Sequence, residues 1–93
     1  MKNTGLRIRS FLAGEHLQKI SGFPVVEVCG DRRVLLEFHS GIEEYTAGSI
    51  RVRVKYGCIH VEGECLRVRR MSPEQLLICG RIDHIHLIRR RSV

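Results

Sequence analysis

The residues able to do chemistry in this 93-residue chain are five histidines, four cysteines, one adjacent pair of carboxylates and an excess of arginine. His84 and His86 are two residues apart, so any strand that carries them turns both to one face. His60 would join them if a neighbouring strand lay alongside. Imidazoles on adjacent strands can hold zinc at about 2.1 Å, and Cys58, on the same strand face as His60, could be a further ligand. That constellation depends on a strand pairing that the sequence leaves open. Its alternative is a set of ordinary surface histidines, so no metal and no cofactor is assigned.

The cysteines, at 29, 58, 65 and 79, show no CxxC spacing, and zinc-ribbon and thioredoxin patterns are therefore absent. Cys29 and Cys79 each precede a glycine at the end of an apolar run and are expected to act as small core hydrophobes. A nucleophilic cysteine needs a thiolate and a nearby base, and nothing in the sequence supplies that arrangement. Glu43 and Glu44 are the adjacent acidic pair. Neighbours on a strand point to opposite faces, so they are not expected to work together as acid and base. There is no glycine-rich phosphate loop and no nucleophile elbow. No catalytic residue is assigned, and the chain is expected not to be an enzyme.

The elements that must position these residues are strands. From 49 to 62, Ile50, Val52 and Val54 alternate with Arg51, Arg53 and Lys55, and the alternation resumes after Tyr56-Gly57 with Ile59 and Val61. Period two means one buried and one wet strand face. The X-Gly step between the runs predicts a hairpin with a tight primed turn. With Leu66 and Val68 also inward, Arg67 and Arg69 point outward. Arg51, Arg53, Lys55, Arg67, Arg69 and Arg70 then form a cationic candidate interaction surface.

In order, residues 1–22 form a basic amphipathic segment that could make a short helix, stopped at Ser21-Gly22-Phe23-Pro24. Residues 23–88 read as a β-domain, with strands expected at 25–29, 33–39, 42–46, 50–55, 58–62, 66–70, 76–79 and 82–88. Gly30, Gly41, Gly48, Gly63 and Gly80 read as turns. Residues 89–93 are a basic tail expected to fray. The fold class is thus all-β, about seven or eight short, mostly antiparallel strands in a curved sheet or small sandwich. The phrases at 26–30, 59–63 and 76–80, each ending in glycine, echo one another loosely. They allow a solenoid-like stack, although such matches also arise by chance in strand-rich sequences.

A chain this short is one domain and buries only about 60–65% of its unfolded surface, which makes oligomerisation a reasonable expectation. There is no tryptophan, aromatics are 5%, and the core must come from Val, Ile and Leu. The formal net charge is +6. Such a balance attracts the phosphates of nucleic acid or of anionic lipid, and it also serves solubility. Single-strand nucleic-acid binders interleave aromatics for base stacking. Near these arginines only Tyr56 is present, so nucleic acid is the alternative reading and not the first. The N-terminus lacks the apolar core of a signal peptide, and no run approaches the roughly 20 apolar residues of a membrane span. Reduced thiols in a cytoplasm are expected.

The order Phe23-Pro24-Val-Val-Glu-Val-Cys-Gly30, Val34-Leu-Leu-Glu-Phe38, Gly41-Ile-Glu-Glu-Tyr45-Thr46, Ile50-Arg-Val-Arg-Val54, Gly57-Cys-Ile-His-Val-Glu-Gly63, Leu66-Arg-Val68 and Glu74-Gln-Leu-Leu-Ile-Cys-Gly-Arg-Ile-Asp83 resembles the YabP/YqfC family of sporulation proteins, the YqfC branch more than YabP. The resemblance covers about residues 23–88. The basic first 22 residues depart from the acidic-apolar, proline-containing segment expected there. The resemblance implies endospore formation, a mother-cell cytoplasmic location that can be peripheral to a membrane, and a membrane partner of the YqfD type. It brings no cofactor or catalytic set. The function expected is therefore non-enzymatic: assembly with itself as a homo-oligomer, or binding of a membrane-associated partner or anionic membrane surface. A leading candidate for self-contact is the unpaired edge of the first or last strand.

Overall fold

In the computed structural model, residues 22–90 are described. The helix expected in the N-terminal segment falls on residues 1–21, which lie outside them, as do the last three residues of the tail. Six strands follow one another: β1 (Val25–Cys29), β2 (Arg33–Glu37), β3 (Ile42–Tyr45), β4 (Ser49–Val54), β5 (Gly57–Met71) and β6 (Gln75–Arg89). All pairings are antiparallel, in one open sheet of order β1-β2-β6-β5-β4-β3. The all-β class holds, as a single curved sheet rather than a sandwich or a repeat stack.

The strand count is six because two expected turns are bends inside strands. β5 and β6 are 15 residues each. Straight, each would span about 50 Å, beyond the 37 Å long axis of the molecule. Both therefore curve, at register shifts between Glu62 and Gly63 and between Glu64 and Arg67. Gly63 and Gly80 permit this. A Cβ on Gly63 would stand 1.8 Å from Arg81 O, and one on Gly80 2.6 Å from Cys65 O. Each glycine makes room for the backbone of the opposite strand. Cys65 takes the left-handed conformation of a bulge, at φ 54°.

A bulge interrupts the ladder between β5 and β6, and here two turns supply carbonyls to backbone donors on either side of it. Gly63 N and Leu66 N donate to Gly48 O and Ala47 O of the β3–β4 turn. Gly80 N and Ile82 N donate to Arg32 O and Asp31 O of the β1–β2 turn. The bend is thus clamped from both sides, and the two halves of the sheet close on one core. Val34, Leu36, Leu66, Leu76 and Ile78 come from one half, and Ile50, Val52, Val54, Ile59 and Val61 from the other, with Ile82 between them.

The alternation expected at 50–54 is borne out: Ile50, Val52 and Val54 are buried and Arg51 and Arg53 point away. Several finer expectations are corrected. The β4–β5 turn falls on Lys55-Tyr56, neither with positive φ, so the primed turn does not form and Gly57 opens β5. Cys29 is exposed and Cys79 partly so, because they share the outer row Cys29–Arg33–Cys79–Arg67. The last strand is central; the edges are β1 and β3. Arg89 ends β6 and Arg90 N donates to Tyr56 O, so the basic tail is held as far as Arg90.

Candidate functional site

The outer face of β4, β5 and β6 gathers most of the residues with chemical potential. Register alone builds it. Arg51, His60 and His86 form one cross-strand row, Ser49, Glu62 and His84 the next, and Arg53, Cys58 and Ile88 the one beyond. Each row faces outward because its neighbours Ile50, Val52, Ile59 and Val61 face the core.

His84 and His86, expected on one strand face, are joined by His60, whose place beside them the sequence left open. The His60 and His86 rings are 5.4 Å apart, and the His84 and His86 rings stack at 5.8 Å. Glu62 completes a two-by-two array. His86 Nε2 donates to Glu62 Oε1 at 3.0 Å, and Glu62 Oε2 lies 3.9 Å from His60 Nε2. His60 Nε2 also shares a 2.8 Å hydrogen bond with Ser49 Oγ. His60 is 9% exposed, whereas Glu62 and His86 reach solvent.

The electrostatics follow from this geometry. Burial, then the Arg51 guanidinium, holds the His60 pKa below the usual imidazole value, against the smaller opposing pull of Glu62. The hydrogen bond from His86 lowers the Glu62 pKa, with His60 adding to it. Near neutral pH the site therefore offers a neutral imidazole beside an ionised carboxylate. Cys58 is buried, and among the described residues the hydrogen-bond partner of its Sγ is Arg51 Nη1 at 3.9 Å.

The six candidate interface cations divide into two groups, on either side of the bend. Arg51 Nε meets Glu44 Oε1 at 3.1 Å, and Arg53 Nε meets Glu43 Oε2 at 3.1 Å. Both glutamates reach the same face, contrary to the simple alternation, because β3 shifts register between Ile42 and Glu44. Lys55 Nζ sits 4.9 Å above the Phe23 ring, which meets Tyr56 edge-on. In the other group Arg67, Arg69 and Arg70 are exposed and form no ion pair among the described residues. Arg33 stands in the same row as Arg67 and is exposed as well.

Sequence reasoning missed Glu62 as a member of the histidine cluster. Its two-residue spacing from His60 was the available signal. The ion pairs of Glu43 and Glu44 had no such signal, because a bulge leaves no mark in the hydropathy pattern. No helix among the described residues is long and apolar enough to cross a membrane. A search of curated proteins and a search of solved structures each found no match. The sequence model of the YabP family matches residues 13–93, nearly the whole chain and all of the bent sheet, and the chain belongs to the YabP family of sporulation proteins.

Proposed function

We propose that this chain is a non-enzymatic sporulation protein of the mother cell that docks, through the arginines on the far half of its outer face, onto an anionic membrane surface or a membrane partner of the YqfD type. Family membership supports the process. The observation that carries the docking reading is the contrast between the two arginine groups. Arg51 and Arg53 are each matched by a glutamate, while Arg67, Arg69 and Arg70, beside Arg33, present charge with no counter-ion among the described residues. Uncompensated cations on one face attract anionic lipid at about 1 kcal/mol per residue near the surface. Assembly with itself as a homo-oligomer would multiply that attraction, since linked weak contacts add by effective concentration.

Flotation with phosphatidylglycerol vesicles tests the reading. Two double variants, Arg67→Glu/Arg70→Glu and Arg51→Glu/Arg53→Glu, each change the formal charge by −4, from +6 to +2. The wild type and the 51/53 variant are expected to float, and the 67/70 variant to remain behind. Equal loss in both variants would reduce the effect to net charge. No flotation of the wild type, or tight binding to an oligonucleotide and not to vesicles, would overturn the membrane surface. Light scattering on a size-exclusion column settles assembly, and a monomer at high concentration would remove it.

A further inference from the structure

We propose that His60, Glu62 and His86 bind a divalent transition-metal ion of the zinc class on the outer face of the sheet. One ligand atom from each of these side chains lies within 4.8 Å of the other two. Zinc at about 2.0–2.2 Å from nitrogen and carboxylate ligands sets them about 3.3–3.6 Å apart in a tetrahedron, so the side chains have to close by about 1 Å at most to hold it. Two imidazoles with one carboxylate match that ion's preference, and magnesium or calcium, which want oxygen shells, fit poorly.

The scaffold favours the site. His60 and His86 sit directly opposite each other on paired strands, and Glu62 is two residues from His60 on the same face. Such positions are set by backbone register, so only the half-exposed side chains of Glu62 and His86 have still to be ordered on binding. His60 is held by burial, and its Nε2, the nitrogen that lies 3.9 Å from Glu62 Oε2, would exchange its 2.8 Å hydrogen bond with Ser49 Oγ for the ion. The present contact of His86 Nε2 with Glu62 would give way to the metal, both atoms turning from each other to the ion. The fourth position faces solvent, where water can occupy it. His84, stacked on His86 at 5.8 Å, is close enough to become a fourth ligand after a rotamer change. The groups facing the cluster from β4 and β3 are Arg51 and its partner Glu44, a pair whose charges offset each other.

The test uses the full chain and zinc or cobalt(II) alone. Four free cysteines are rival ligands, so a Cys29→Ser/Cys65→Ser/Cys79→Ser variant is titrated beside the wild type. Glu62→Gln and His86→Asn are chosen because both side chains are about half exposed, and circular dichroism confirms that each folds. The expected result is one equivalent of zinc by calorimetry and a cobalt spectrum without thiolate charge-transfer bands. Binding should persist in the cysteine variant. Loss of a residue that only hydrogen-bonds a ligand weakens a metal by about 10–100-fold, so Glu62→Gln and His86→Asn, which alter ligands themselves, are expected to weaken it at least tenfold. Zinc should also raise the Tm of the wild type and leave that of His86→Asn unmoved. No stoichiometric binding, binding unchanged in those two variants, or binding lost with the cysteines would each overturn the proposal.

Discussion

Replacing Gly63 by alanine should unfold the bend on which the whole sheet depends. The added Cβ would meet Arg81 O at 1.8 Å, Arg81 C at 2.9 Å and Ile82 Cα at 3.2 Å. Carbon atoms rest at about 3.5–4.0 Å, so the β6 backbone would have to retreat by roughly 1.5 Å. These are main-chain atoms of a paired strand and cannot rotate away. Overpacking that side chains can absorb costs about 1–3 kcal/mol. The retreat also strains the Gly63 N to Gly48 O bond of 3.1 Å, which adds about 1 kcal/mol. The expected loss is about 2–4 kcal/mol, and for a domain of this size that lowers the Tm by roughly 8–32 °C. Urea and thermal unfolding followed by circular dichroism read it directly. Gly48→Ala is the control, since its Cβ would meet only Gly63 O at an ordinary 3.6 Å. Gly30→Ala separates strain from collision. Its φ is +57° with nothing within 4 Å, so it should cost about 1 kcal/mol from conformation alone. If Gly63→Ala falls within about 0.5 kcal/mol of Gly48→Ala, the close crossing of β5 and β6 is wrong.

Leu36→Ala, at a fully buried position, is expected to cost about 2–5 kcal/mol in urea unfolding, whereas Leu87→Ala, at 64% exposed, should stay within about 0.5 kcal/mol. The pH dependence follows from His60, whose folded pKa lies below its ordinary 6.5. The unfolded chain then binds the proton more readily, so this contribution is complete above pH 6.5 and is lost as pH falls through the folded value. With a chelator present, the wild type should lose stability below that pH with a steeper slope than His60→Gln; parallel curves would contradict the assignment.

Much of the fold is legible in the residue pattern, and the exceptions have physical causes. Ile50, Val52 and Val54 reveal their strand because strict alternation has a single solution when one face is buried. Gly63 and Gly80 mislead because a glycine that relieves a close backbone approach looks, in sequence, like a glycine that makes a turn. That ambiguity hides the two 15-residue strands and, with them, the central place of β6. The histidine cluster is half legible. The spacing of His84 and His86 puts them on one face, but only the register Glu62↔His84 and His60↔His86 brings β5 alongside. Sequence names the cations of the outer face and cannot name their partners, since Glu43 and Glu44 reach Arg53 and Arg51 only through a register shift in β3.

The continuity of β5 and β6 through their bend decides whether the histidine and arginine rows share one outer face, and cross-strand proton contacts measured by NMR test it most directly. Contacts between His60 and His86 and between Arg67 and Cys79 are expected within one strand pair, joined by a contact between Gly63 and Ile82 at the bend. Finding instead tight-turn contacts within 62–66 and within 79–82, with none between Gly63 and Ile82, would replace the long bent pair by separate short strands and contradict the account.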